Sequence, residues 1–307
     1  MQLVCNKIIK IKGGNNLMVK NFKVFFVVPF LFLIFLSCTS STSAEGNSKL
    51  KIVSSLNPNY NLVKYIAQDK VENYLLPFSS DSHNFEFKPS DVKNIEDADA
   101  VFYIGLSIDD KILDLSKDKN KFVKTTEGAS LIKLNESDSH NHDGYIYDPH
   151  VWLSLKEYIV MGKNVLDALV KLDPENADFY NKNYEDFLNR ANSMYETYKK
   201  DFDTLINKEF LSNHDSYGYL ARDFGLVNSS LYDIANHGEL NLQGMISAVE
   251  NKNIKLILGD KNSSNSELEV ISNALNSQYK LVSNLEVEGD YFTEYEMLLS
   301  SIYDGLR

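Results

Sequence analysis

The chain has 307 residues, 43% hydrophobic and 24% charged, which suits one large or two medium domains with real cores and excludes a disordered chain. Its net charge of −12 argues against nucleic acid as a partner, because a phosphate backbone demands basic surface. An acidic chain is compatible with collecting a cation.

The N-terminus reads as an export signal. From Met18, a short basic region (Lys20, Lys23) leads into the apolar run Val24 to Leu36, and the small residue Ser37 then precedes Cys38. The run is too short and badly flanked for a dedicated transmembrane span. The Ser-Cys ending resembles the lipobox of bacterial lipoproteins, although Phe35 stands where leucine is usual. That resemblance implies cleavage after residue 37, lipidation of Cys38 and attachment to the extracytoplasmic or periplasmic side of a bacterial membrane. An uncleaved N-terminal anchor helix is the alternative. "KGGNNLM" reads like a translated ribosome-binding sequence, which makes Met18 the expected native start. Processing removes five lysines and no acid, so the net charge moves from −12 to −17. It also removes Cys5 and leaves one cysteine, so no intramolecular disulfide can form and a metal site must use histidine and carboxylates. Residues 38–48 are the lipidated cysteine and a flexible polar tether.

Short apolar strands alternate with helices along the rest. "KLKIVSSL" (49–56) reads as a strand, "NYNLVKYIAQD" as a helix and "KVENYLLPF" as a second strand. "KPSDVKNIEDA" opens a helix at Pro89 or Ser90, and "DAVFYIGL" is a third strand. Residues 173–206 differ in kind. Asp173 reads as an N-cap, Pro174 as the first helical residue, and Tyr180, Tyr184, Phe187, Ala191, Met194, Tyr198, Phe202 and Leu205 follow at steps of three or four. Some 33 residues at about 1.5 Å each give roughly 50 Å, long enough to run along two lobes or to serve a coiled-coil partner. The α/β pattern then resumes: strand "EFLS", helix "GYLARDFGL", helix "NLQGMISAVENKN", strand "IKLILGD", helix "SELEVISNALN", strand "YKLVSNL" and closing helix "TEYEMLLSSIYDGLR". The expected fold is α/β, two lobes, each a mostly parallel sheet with flanking helices, joined by one long rigid linking helix. The N-terminal lobe is expected over 49–172, the linking helix over 173–206 and the C-terminal lobe over 207–307.

Three histidines sit just after a predicted strand or at a loop–helix junction: His83 in "SSDSHNFEFKPSDV", His150 in "YDPHVWLS" and His214 in "LSNHDSYGYLARDFGL". Parallel sheets bind ligands outside the carboxyl ends of their strands, so the three could converge in a cleft. They lie some 65 residues apart, and spacing alone does not show convergence.

Three motifs, "SHNFEFKPSDVKNIEDADAVFYIGL", "DPHVWLS" and "HDSYGYLARDFGL", occur in the order and spacing of one family. Over about residues 50–300 the chain resembles the zinc/manganese-binding solute-binding proteins of bacterial ABC importers. The resemblance implies two α/β lobes, a rigid linking helix and one metal in the cleft between lobes. His83 and His150 from the N-terminal lobe and His214 from the C-terminal lobe match the family's ligands. The fourth position departs from it. Ser283 in "LVSNLEVEGDYF" stands where an aspartate is common, which leaves a water, Glu286, Asp260 or a loop histidine as the fourth ligand. Three imidazoles and one light ligand suit Zn2+ over the alternative Mn2+, and the affinity order at a nitrogen site points the same way. Zinc importers of the family often carry a His- and acid-rich loop before the second ligand. "ESDSHNHDG" (136–144), with His140 and His142, is a short version, either a weak capture site or a solvated loop. Asp215 is a candidate to orient His214. His237 reads as a surface or core-capping residue, and Trp152 as core packing under the site.

The expected function is capture of a divalent metal and delivery to an ABC membrane permease, by a monomer that is not an enzyme. A metallohydrolase is a second reading, since three histidines and an open position can activate water. Asp215 is its only candidate general base. An adhesin with a structural metal is a third reading, which no sequence feature supports.

Overall fold

The computed structural model describes residues 48–77, 87–134, 146–213, 215–234, 241–262 and 266–307. The first sheet contains β1 (Leu50–Ser54), β2 (Val71–Leu75), β3 (Ala100–Tyr103) and β4 (Phe122–Lys124), in the order β2-β1-β3-β4. Every pairing is parallel, with Leu50 opposite Val71 and Ile52 opposite Ala100. The crossovers of the first lobe include α1 (Asn57–Ala67) and α2 (Pro89–Asp97). Pro89 opens α2, and the Lys88 amide donates to the Asp91 carboxylate at 2.8 Å, an acid in the first turn closing the helix start.

Two antiparallel-packed helices follow, α3 (Leu155–Leu172) and α4 (Ala177–Asp203). The chain before α4, Pro174–Asn176, is a 3-10 turn. This shortens the helix predicted from residue 173 to 27 residues, or about 40 Å. Asp173 is not an N-cap of the expected kind. Its carboxylate accepts from the Asn176 amide and the Tyr180 hydroxyl, both at 2.7 Å, so it fastens the turn through side chains. The predicted stripe is the buried one: Tyr180, Phe187, Ala191 and Phe202 are at most 2% exposed. With it α4 packs on α1 and α3 of the first lobe.

The second sheet repeats the first. It contains β5 (Glu209–Ser212), β6 (Val227–Ser230), β7 (Leu256–Asp260) and β8 (Gln278–Val282), in the order β6-β5-β7-β8, again all parallel. Its helices are α5 (Gly218–Phe224), α6 (Leu231–Ile234), α7 (Leu242–Val249), α8 (Ser266–Leu275) and α9 (Tyr291–Leu306). Gly225 ends α5 at φ +68°, a left-handed position that glycine adopts without strain. Helix α4 also contacts α5 and α9, so one helix runs along both lobes. Residues Asn47–Arg307 form one compact unit. One apolar core continues from the first sheet through α3 and α4 to α9, and a smaller one lies around Leu211, Ile257 and Ile271. Among the described residues, no helix is long and apolar enough to cross a membrane.

In each sheet the second strand lies on one side of the first and the third on the other. The order therefore reverses between β1 and β3 and between β5 and β7, the positions where open α/β sheets bind ligands. At the first reversal Asp109 is buried and accepts from the Ser55 hydroxyl at 2.5 Å and the amides of Ile104 and Gly105 at 2.8 and 2.7 Å. Burial outweighs these donors and pushes its carboxyl up to about 6. The folded value then exceeds the unfolded value of about 3.9, so folding binds a proton in this window. Stability is expected to rise by up to about 3 kcal/mol as pH falls from about 6 to about 4. Urea titrations of the protein and of Asp109→Asn across that range check this, because the variant lacks the slope.

Candidate metal centre

His150 lies in the segment that leads into α3, four residues before Ser154 caps that helix. It is 1% exposed and precedes a 3-10 turn, Val151–Leu153, that is wholly buried. Pro149 and the turn give the chain its bend, and Ser154 starts α3 by accepting from the Glu157 amide at 3.1 Å. The Asp148 carboxylate determines the ring's orientation. Its Oδ1 accepts from the His150 backbone amide at 2.9 Å and from Nδ1 at 2.8 Å. An Nδ1–H bonded to a carboxylate makes Nε2 the basic nitrogen and raises its strength as a metal ligand. The Asp148 backbone carbonyl accepts from the Tyr219 hydroxyl on α5 at 2.8 Å.

Trp152 packs under this histidine as predicted. It is fully buried, edge-on to the His150 ring at 5.4 Å between centroids. It does more than fill space: its Nε1–H donates to the Asn284 carbonyl at 2.8 Å. That carbonyl lies on the loop between β8 and α9, two residues before Glu286. Ser283 and Glu286 are both buried, at 5% and 7% exposure. The Ser283 hydroxyl accepts from the Leu285 amide at 3.0 Å, so it shapes the loop. The Glu286 Oε2 accepts from the Asn284 side chain at 3.2 Å.

Asp260 ends β7 at the second order reversal. Its Oδ1 accepts from the Asn262 amide at 2.6 Å, and burial raises its carboxyl above the ordinary range. Ser212 ends β5 beside it and donates to the Asn228 side chain at 2.9 Å. Asp215, just past that strand end, accepts from the Asn228 amide at 3.3 Å.

Among the described residues, no three His, Cys, Asp or Glu side chains gather as a metal site. His83, His214, the loop histidines His140 and His142, His237 and Cys38 lie outside the described residues. His150, Asp260, Asp215 and Glu286 lie within them, each beside a strand end or the short turn before α3. Asp148 is missing from the sequence reading. Its signal was present, an acid two residues before a histidine in "DPH".

The described chain is thus two parallel α/β lobes on one long helix, with a buried, carboxylate-oriented histidine just before α3, and its class follows from the family it matches. Residues 52–306 match the family model described as zinc-uptake complex component A, periplasmic. The chain belongs to this family of metal-binding components of ABC transporters. It is 27% identical over 287 residues to the high-affinity zinc uptake system protein ZnuA of Bacillus subtilis (strain 168), covering 88% of this chain and 90% of the relative. It is 28% identical over 220 residues to the manganese ABC transporter substrate-binding lipoprotein PsaA of Streptococcus pneumoniae, covering 67% and 70%. The crystal structure of a zinc-bound ZnuA deletion mutant shares the fold, with a TM-score of 0.72 at 22% identity over 84% of this chain and 98% of that one. The metallohydrolase reading is not supported, because the family is one of substrate-binding proteins.

Proposed function

We propose that the chain captures zinc between its lobes and delivers it to an ABC permease while tethered to the membrane as a monomer through lipidated Cys38. His83, His150 and His214 are the imidazole ligands and Glu286 is the fourth. The domain division is 49–172, the linking segment 173–206 and 207–307. The observation that carries the reading is the Asp148–His150 pair, a carboxylate bonded to the far nitrogen of a buried imidazole, which is how metal-ligating histidines are oriented. Glu286 is preferred to Asp260 because Trp152 ties its loop to the segment of His150. Zinc is preferred to manganese because the set is rich in imidazole and the affinity order favours zinc. Asp215 orients His214, and the loop with His140 and His142 collects metal weakly before transfer.

A competition titration of the metal-free chain from residue 39 with zinc and manganese tests this. Tight one-to-one zinc binding is expected. It should vanish when His83, His150 and His214 are all replaced by Ala and weaken in Glu286→Gln. Manganese binding that resists equal zinc would overturn the choice of metal. Wild-type affinity in Glu286→Gln would move the fourth ligand to Asp260. Replacing His140 and His142 by Ala without change in affinity or transfer rate would remove the capture loop.

A further inference from the structure

The loop between β8 and α9 belongs to the second lobe by sequence but is bonded to the first. Two asparagines one turn apart on α1 make the connection. The Asn57 side-chain amide donates to the Leu285 carbonyl at 3.1 Å and the Gly289 carbonyl at 3.2 Å. The Asn61 amide donates to the Gly289 carbonyl at 3.0 Å, and its Oδ1 accepts from the Tyr291 amide at 3.2 Å. The Asn57 backbone amide donates to the carbonyl of Glu286 itself at 3.1 Å. Asn61 also donates to the Asn57 side-chain oxygen at 2.9 Å, which holds the pair in register. Both are buried, at 3% and 1% exposure.

The loop they hold is strained. Leu285 sits at φ +63° and is fully buried, and Gly289 sits at φ +101°. A leucine in the left-handed region persists only where its surroundings over-determine it, and such positions cluster at ligand clamps. Asparagine inside a helix is also unfavourable by propensity, so local structure does not account for Asn61. Every one of these bonds except the Asn57–Asn61 contact spans about 230 residues.

We infer that Asn57 and Asn61 are positioning residues for Glu286, which they fix beside His150 by fastening the β8–α9 loop to the first lobe. The inference rests on Glu286 as a metal ligand. The bonds act on the backbone at both ends of the Leu285–Gly289 turn, so they set where the carboxylate starts and how its loop is bent. Trp152 supplies the third fastening, from the turn after His150.

The test uses the whole mature chain carrying Asn57→Ala with Asn61→Ala, each single variant, and Glu286→Gln. Zinc affinity is read by competition, ligand geometry by the absorption spectrum of the cobalt-loaded protein, and folding by urea denaturation without metal. Zinc affinity is expected to fall about 10- to 100-fold in the double variant, the range for groups that orient a ligand. The cobalt spectrum should shift toward that of Glu286→Gln, and the losses should not add when all three changes are combined. Wild-type affinity and spectrum in folded asparagine variants, beside weakened binding in Glu286→Gln, would overturn the positioning role alone. Wild-type behaviour of Glu286→Gln would overturn the ligand reading, and the inference with it. Asn57→Ser and Asn61→Ser serve where the alanine pair does not fold.

Discussion

Replacing His150 by Ala is expected to weaken zinc binding more than about 100-fold, and Asp148→Asn to weaken it by about 10- to 100-fold. The two losses have different causes. Alanine removes the donor nitrogen. Asparagine keeps an oxygen that can accept from the His150 backbone amide and ring, now at 2.9 and 2.8 Å, but removes the negative charge that strengthens the ring as a ligand. The second variant should therefore preserve the stability of the metal-free chain and lose affinity through a faster off-rate. Trp152 is the chain's single tryptophan and sits edge-on to the His150 ring, so its fluorescence follows the titration directly. Equal affinity in Asp148→Asn and the unmodified chain would mean that Asp148 only shapes the bend at Pro149.

The strand–helix alternation was legible because burial leaves a strong pattern. Ile52 and Val53 of β1 and "LILG" of β7 are apolar and buried at successive positions without alternation, as in strands covered on both faces. The two short edge strands were not legible. "FVK" has β-prone Phe and Val but is only three half-exposed residues, too short to stand out, and "VNSS" is mostly polar, so neither hydrophobicity nor β propensity marks it. Helix α3 is a different case. Its buried residues Leu155, Tyr158, Met161, Val165 and Leu169 recur at steps of three and four, and the sequence reading nonetheless assigns no element there.

Of the candidate residues, His150 was legible as a histidine in a motif before a helix, and Trp152 as packing beside it. The groups that fasten the β8–α9 loop were not. Asn57 and Asn61 look like unremarkable polar residues at a helix start, and their partners lie about 230 positions away. Tyr65 is similar. Its hydroxyl donates to Asp290 at 2.8 Å across the lobes, and Arg190 on α4 lies over the Phe292 ring at 4.3 Å. Although burial opposes ionisation, bonds from Tyr65 and Thr293 hold the Asp290 carboxyl below the usual range. Such contacts follow from how two lobes meet, which no local periodicity encodes.

A second weld between the lobes yields the largest expected loss of stability. Arg222 on α5 donates from Nε to Asp223 at 2.9 Å, from Nη2 to Glu157 on α3 at 2.7 Å and from Nη1 to the Ser130 carbonyl at 2.8 Å. The Ser130 amide returns a bond to Glu157 at 2.9 Å, and Ser154 donates to Asp223. The two carboxylates are only 8% and 3% exposed, so the guanidinium is what makes their burial tolerable. Arg222→Met keeps an apolar stem but removes the guanidinium, which lies over the Tyr219 ring at 5.1 Å, and leaves both acids without their cation. Its expected cost is about 3 kcal/mol or more, read as a lower urea midpoint. Arg222→Lys should recover part of this, since an ammonium restores the charge without the planar fork that serves three acceptors. The same variants separate holding the lobes from binding metal. Zinc at 100 times its dissociation constant stabilises a folded binder by about 2.7 kcal/mol. If Arg222 only joins the lobes, that increment should survive intact in Arg222→Met on top of a lower baseline. A shrunken increment would mean that α5, which follows His214 by four residues, has carried a ligand out of place.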